Sequence, residues 1–254
     1  MISLDSFDRP VHALIQGASR GIGLGLVQAL LAESQTRRVI ATCRQPDRAD
    51  ALQALSCERL IIHRLDATLP DQYAGLTDSL SAHATELNLI INAAGMLHTE
   101  HVTPEKKLED VDSVSMQRVF ALNAIAPILL IQALRPLMAR QGKVVFAALS
   151  ARVGSIADNR LGGWYSYRSS KAALNQLLRT ASIELKRRNP NVIVAALHPG
   201  TTDTDLSKPF QSRVPADRLF SVDRTSTYLL NVINHLSAAD SGGFFAWDGQ
   251  AIDW

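Results

Sequence analysis

The run Val11-His-Ala-Leu-Ile-Gln16, followed at once by Gly17-Ala-Ser-Arg-Gly21-Ile-Gly23 and then by Leu24-Gly-Leu-Val-Gln-Ala-Leu-Leu-Ala32, decides the fold. Its first six residues include no Asp, Glu, Lys or Arg, the composition of a strand covered on both faces. Three glycines break the pattern, and the apolar residues after them read as a helix. Strand, glycine turn and helix N-terminus together form an anion site. The first N–H groups of a helix have no partner within it, and the positive end of its dipole points the same way. Gly17 permits the tight turn, Gly21 lets backbone approach a phosphate, and Gly23 allows close packing of helix on sheet. Ala18, Ser19, Arg20 and Ile22 fill the positions between them. The spacing is GxxxGxG rather than the commoner GxGxxG.

Outward from this turn, apolar runs rich in β-branched residues alternate with helical patterns: RVIATC, RLIIHRL, LNLIINAA, KVVFAALS, VIVAALH and GFFAWDG. Such alternation predicts parallel βαβ units. Helices are expected over 22–33, 71–84, 114–138 with a break at Pro127, 166–188 and 223–236. The fold class expected is α/β: one Rossmann-like, doubly wound parallel sheet of about seven strands with helices on both faces. No linker, repeat or low-complexity tract appears, so residues 1–254 are read as one domain. The segment 200–222 departs from the alternation, being polar with Pro209 and Pro215 spaced through it. It reads as an irregular loop, either a substrate lid or plain surface.

Composition narrows the function classes. Of 254 residues 46% are apolar and 20% charged, and 26 Lys and Arg against 24 Asp and Glu leave a net charge of only +2. Disorder is excluded, and a nucleic-acid partner has no basic surface to argue for it. The densest cation pairs, Arg37-Arg38 and Lys186-Arg187-Arg188, are placed at helix ends, where they favour the dipole. The longest charge-free stretch, 121–134, is interrupted by Asn123, Pro127 and Gln132 and falls short of the roughly 20 apolar residues of a membrane helix. No membrane association is expected. The opening MISLDSFDRP lacks the regions of a secretory signal, so a cytoplasmic location is expected. Cys43 and Cys57 fit no zinc spacing and are expected to be free thiols, and no metal site is expected.

The end of the second strand bears on the ligand of the glycine turn. An NAD-binding version of the fold carries an acid about 20 residues past the turn to hold the ribose 2′-hydroxyl. Here Ala41-Thr42-Cys43-Arg44 has none. Arg44 and Arg20 offer two guanidinium forks where a 2′-phosphate would sit, which predicts NADP(H) as the preferred cofactor. Asp47 and Asp50 follow closely and keep NAD(H) possible.

Tyr167-Arg-Ser-Ser-Lys171 places a phenol and an ammonium four residues apart, on one face of a helix. A phenol with its ordinary pKa near 10 is a poor base at neutrality, and an adjacent ammonium stabilises the phenolate. That spacing suggests Tyr167 as a general acid and base.

Taken together, GASRGIG at 17–23, Asn92-Ala93-Ala94-Gly95, Asn123, Ser150, YRSSK and Pro199-Gly200 resemble the short-chain dehydrogenase/reductase family in content and order along nearly the whole chain. The resemblance implies a nicotinamide-dependent oxidoreductase acting on a small carbonyl or alcohol, with Tyr167 as proton donor and acceptor. It implies that Lys171 holds the nicotinamide ribose and lowers the tyrosine pKa, that Ser150 polarises the substrate oxygen, and that Asn123 anchors a water leading from the lysine to solvent. By the same analogy Asp66, closing the third strand, lies beside the adenine, while Thr202 and Thr204 contact the carboxamide and phosphates. A homodimer or homotetramer is implied, with an interface on the tyrosine helix and the helix carrying Pro127. SARVGSIADNRLGGWYSYRSSKAALN and SGGFFAWDGQAIDW look like the C-factor-type branch with its small carbonyl reductases. That likeness leaves a nucleotide-binding signalling protein with little turnover as the alternative.

Two departures stand out. The family's NNAG is NAAG here, which is read as a packing variant. Ser150 lies further before Tyr167 than usual, which makes Ser155 a rival, although Ser150 follows directly on a strand. Tyr165 is no rival to Tyr167, because four residues after it stands Ser169 and no cation. Trp164, Leu206 and Phe210 are read either as an apolar pocket or as anchors of their loops. His98 and His101 are read as loop surface. Leu174, Leu177, Leu178, Ala181 and Leu185 form the apolar stripe of the tyrosine helix.

Overall fold

Apolar side chains on both faces of the central strands hold one parallel sheet together. The computed structural model describes residues 3–82 and 86–254. It opens with β1 (Val11–Gln16), α1 (Gly21–Ala32), β2 (Thr36–Cys43), the short α2 (Asp50–Gln53), β3 (Leu60–Arg64), α3 (Gln72–Ala82) and β4 (Leu89–Asn92). After these come α4 (Ser113–Phe120), α5 (Ala126–Leu134), β5 (Val144–Leu149), α6 (Tyr165–Arg188) and β6 (Val192–His198). The two-residue strands β7 (Thr201–Thr202) and β8 (Leu219–Phe220), α7 (Val222–His235) and β9 (Gly243–Ala246) complete the order. The main sheet has seven strands in the order β3-β2-β1-β4-β5-β6-β9, all parallel. This is the doubly wound arrangement expected, with its switch of direction between β1 and β4.

Strand alternation builds two cores. Ala13, Ile15, Val39, Ala41, Ile91 and Ala147 face α1 and α7, whose Leu26, Leu30, Leu229 and Ile233 are fully or almost fully buried with them. The intervening Leu14, Ile40, Ile90 and Phe146 face the other way, against Leu76 of α3, Leu130 of α5 and Leu174 of α6. A period of two thus assigns each strand residue to a layer of helices. Full burial of one such side chain contributes about 1.5–3 kcal/mol.

Several expectations need correction. Pro127 breaks nothing: a π-helical turn (Ala121–Ile125) links α4 to α5, with Ala126 N–H bonded to Ala121 O. The ladder shifts just before the proline, so its missing N–H lies at the start of a fresh α-helical register. The helical run Ser113–Leu137 therefore has the length and apolar character of a membrane crossing, longer than the charge-free stretch suggested. Its Leu130, Ile131 and Leu134 are buried in the core instead. Arg37 and Arg38 lie in β2 and not at a helix end. The cation that serves the end of α1 is Arg59, whose guanidinium donates to Leu31 O and, at 3.0 Å, to Thr36 O. Lys186, Arg187 and Arg188 do form the last turn of α6. The segment 200–222 is not wholly irregular, since β7 and β8 pair in parallel and 3₁₀ turns follow at Lys208–Arg213 and Ala216–Arg218. Residue 84, the expected end of the helix over 71–84, lies outside the described residues. Both cysteines are free, Cys43 buried and Cys57 exposed.

Candidate active site

The glycine turn follows β1 and is tied to the end of β2: the N–H groups of Gly17 and Ala18 both donate to Thr42 O at 3.0 Å. Gly17 has φ +81° and Gly21 φ +54°, conformations that a side chain resists. A Cβ added at Gly17 would lie 2.8 Å from the Ala94 backbone, so the turn rests directly on the peptide after β4. Arg20 stands at the N-cap of α1 in extended conformation, and among the described residues no side chain caps the helix. The N-terminal amides and dipole of α1 therefore remain available to an anion.

Neighbouring segments close in on this turn. A Cβ added at Gly21 would meet Thr204 Cγ2 at 3.3 Å, which places the segment after β7 beside the turn. Arg20 reaches across to Asp205, Nη1 to Oδ2 at 3.1 Å, with both side chains largely exposed. Arg44 is exposed just past β2, as are Asp47 and Asp50. Asp66 lies two residues past the end of β3 and accepts from Thr68 N and Oγ1 at 3.0 and 2.7 Å. Pro199 and Gly200 follow β6, Gly200 with φ +75° against Phe220. Buried Thr202 shares a hydrogen bond with Thr225 Oγ1 at 2.8 Å. Asn92 ends β4 and is buried, its Nδ2 without a partner among the described residues, and Ala93 packs against the core.

The second half of the site stands on α6. Tyr167 is 9% exposed and Tyr165 39%, so burial separates the two phenols as the cation spacing did. Lys171 Nζ lies 5.7 Å from the Tyr167 ring centroid and donates to Leu149 O at 2.7 Å. Burial pushes Tyr167 up to about 12 and Lys171 down to about 8. Burial alone thus acts against the lowering that the resemblance implies, which depends on the charge of Lys171. Desolvation disfavours both charged forms here, and Tyr167 is held as the neutral phenol. Asn123 projects from the π-helical turn and is fully buried. Its Oδ1 accepts from Met96 N at 2.7 Å, and its Nδ2 donates to Met96 O at 2.8 Å and Ser170 Oγ at 3.0 Å. A Cβ added at Gly95 would lie 3.5 Å from Lys171 Nζ and 3.7 Å from Asn123 Oδ1. The dipeptide Ala94-Gly95 is thus the meeting point, touched by the glycine turn on one side and by the lysine and asparagine on the other.

The two serines are set apart by their partners. Ser150 directly follows β5, and its Oγ donates to Asn175 Oδ1 at 2.7 Å. Ser155 Oγ accepts from Asp158 N at 3.1 Å and so serves its own turn.

Aromatic rings from distant segments wall the tyrosine. Trp164 meets Tyr167 edge to face at 6.1 Å and Phe210 at 4.9 Å, and Phe210 meets His98 at 5.8 Å. His98 Nε2 is also 3.1 Å from Leu206 O, so it belongs to this wall, whereas His101 is exposed. Trp164 is left-handed, with φ +53° after Gly162 and Gly163 at +64° and +66°. Buried Glu105 holds that bend: its backbone O accepts from Trp164 N at 2.6 Å, and its carboxylate accepts from Ser166 N and Oγ. Glu105 carries no local signal in the sequence, since its partner is 61 residues away. Ser170 and Asn175 were also missed, although each lies on the tyrosine face at a helical spacing. Among the described residues no three His, Cys, Asp or Glu side chains are grouped to hold a metal.

The sequence model described as short chain dehydrogenase matches residues 11–215. The chain belongs to this family of oxidoreductases. Over 242 residues, spanning 95% of this chain and 98% of the relative, it is 29% identical to a 1-hydroxy-2-glutathionyl-2-methyl-3-butene dehydrogenase of Rhodococcus sp. (strain AD45). It is 36% identical to the C-signal protein of Myxococcus xanthus over 148 residues, which span 58% of this chain and 83% of that one. Among solved structures, the NADPH-bound carbonyl reductase from chicken fatty liver superposes with a TM-score of 0.86 at 36% identity, covering 97% of this chain and all of that one. The carbonyl reductase Sniffer of D. melanogaster gives 0.86 at 28% identity, covering 96% and 99%.

Proposed function

We propose that this family member is an NADPH-dependent carbonyl reductase. The observation that carries the reading is the meeting at Ala94-Gly95, where the glycine turn comes up on one side and buried Lys171, one helical turn beyond buried Tyr167, on the other. The chain's residues fit the coenzyme. The turn leaves no room for a Cβ at Gly17, and α1 begins uncapped. Gly17, Ser19, Gly21, Ile22 and Gly23 would hold the pyrophosphate, with Thr204 alongside. Asp66 would lie by the adenine, and Asn92 to Gly95, Pro199, Gly200 and Thr202 would line the path to the nicotinamide. Arg20 and Arg44 would take the 2′-phosphate. The coenzyme bound in the chicken and Pseudomonas aeruginosa carbonyl reductases, NADPH and NADP respectively, supports this choice.

The nicotinamide, when bound, supplies a hydride. Tyr167, neutral because it is buried, gives its phenolic proton to the carbonyl oxygen as that oxygen gains charge. Ser150 donates a hydrogen bond to the same oxygen, and a preorganised donor in a dry site is worth far more than one in water. Lys171 orients the ribose and stabilises the phenolate left behind. Asn123 fixes the Met96 backbone and Ser170, and the remaining lone pair of Oδ1 holds a water on the lysine side. The wall of Trp164, Phe210 and His98 keeps the reacting carbon near its donor, and such positioning supplies much of the acceleration.

The test is NADPH oxidation against aldehydes, ketones, quinones and steroids, with NADH in parallel. Two charge-assisted contacts to the 2′-phosphate predict a Kd for NADPH at least about tenfold below that for NADH. Equal affinities would remove the arginine reading. The alternative, a nucleotide-binding signalling protein with little turnover, draws on the C-signal likeness. Absence of turnover across the panel with intact coenzyme binding would favour it.

A further inference from the structure

Ser150 is rigidly placed. Its N–H donates to Leu197 O on β6 at 2.8 Å, and the residue is 3% exposed. Its hydroxyl donates to Asn175 Oδ1 at 2.7 Å. Asn175 is 2% exposed and stands on α6 one turn beyond Lys171 and two beyond Tyr167. Its Nδ2 is buried without a hydrogen-bond partner among the described residues. A hydroxyl has one proton to give. While that proton lies on Asn175, Ser150 can offer a substrate only lone pairs, yet the reaction requires it to donate to an oxygen gaining negative charge. The amide resolves this conflict, because its two ends are nearly alike in shape and opposite in hydrogen-bonding sense. A half turn about its terminal bond brings the idle Nδ2 to Ser150 Oγ. The hydroxyl proton is then released toward the substrate.

We propose that Asn175 is a positioning residue for Ser150: its amide accepts the serine proton before substrate binds, then turns and donates to Oγ so that the serine proton points at the carbonyl oxygen. The inference rests on the role given to Ser150 above. No proton changes owner between the two residues; only hydrogen-bond direction reverses. The chain Nδ2–H to Oγ–H to substrate oxygen strengthens the serine as a donor through cooperative polarisation.

The experiment compares Ser150→Ala, Asn175→Ala, their combination and Asn175→Asp, using the best carbonyl substrate of the parent at saturating NADPH. Loss of one oxyanion donor predicts a fall in kcat of about 100-fold or more for Ser150→Ala. Asn175→Ala should lose roughly 10- to 100-fold in kcat, with the carbonyl KM within about threefold and NADPH affinity unchanged. Added to Ser150→Ala it should cost less than about twofold more, since its partner is already gone. The carboxylate introduced by Asn175→Asp can only accept, so kcat should be low at neutral pH and recover on acidification relative to the parent, once the carboxyl can donate. Should Asn175→Ala not fold, the nearly isosteric Asn175→Asp carries the test through that acid recovery. Additive losses in the double variant, or no acid recovery, overturn the inference and leave the role of Ser150 standing. Full turnover by Ser150→Ala overturns both.

Discussion

The two halves of the proposed site, one for coenzyme and one for substrate, are built by different means. At the glycine turn the backbone itself is the instrument: positive φ angles at Gly17 and Gly21, a contact with Ala94 that excludes a side chain, and an uncapped helix end. At the substrate half side chains do the positioning. Glu105 pins Trp164, Trp164 leans on Phe210 and Tyr167, and Asn123 grips both Met96 and Ser170. Backbone recognition tolerates change in everything except its glycines. A side-chain wall can be rebuilt residue by residue, which suits a pocket that must match one substrate among many.

If the halves are separable, chemistry can be removed without disturbing coenzyme binding. Tyr167→Phe should lower kcat by about 10²–10⁴-fold, the usual worth of a positioned acid, while the Kd for NADPH stays within about threefold. The pair of steady-state assay and fluorescence titration decides, and retained turnover in a folded variant ends the assignment of Tyr167. A pH profile divides the site more finely. Lys171, pushed down to about 8 by burial, is protonated below that pH and neutral above it, whereas Tyr167, pushed up to about 12, keeps its proton across the assay range. If reduction needs the ammonium, kcat/KM for NADPH should be level below about pH 8 and fall up to tenfold per pH unit above it. A profile flat to pH 10 would show that the charge on Lys171 is not required.

The coenzyme half was the more legible from the sequence because its conformation is written in the backbone. Glycines in a strand, turn and helix frame announce their conformations locally, and alternating apolar strands such as Val144–Leu149 announce burial on both faces. Tyr167 and Lys171 were legible because one helix period links them. Pro127 misled because a shift of hydrogen-bond register by one residue absorbs its missing donor, and composition does not record register. The paired strands β7 and β8 escaped because two residues are too few to show a period. Glu105 escaped because its meaning lies in a backbone bend at Gly162 to Trp164 far along the chain.

The sharpest place to test the division is where the halves touch. Arg20 belongs to the glycine turn, and Asp205, its partner at 3.1 Å, belongs to the substrate-side segment. Both are largely exposed, so the pair itself adds little to stability, and Asp205→Asn should leave Tm nearly unchanged. The effect should appear in coenzyme choice. On the proposed reading Asp205 would compete with a 2′-phosphate for the same guanidinium, and its negative charge would repel that phosphate. Its neutralisation should tighten NADPH binding by about two- to fivefold, more at low salt, with no change for NADH. A gain shared equally by both coenzymes would mean that Asp205 acts on the pyrophosphate common to them. Arg20 would then be an anchor of the loop and not a reader of the 2′-position, leaving Arg44 to make that distinction alone.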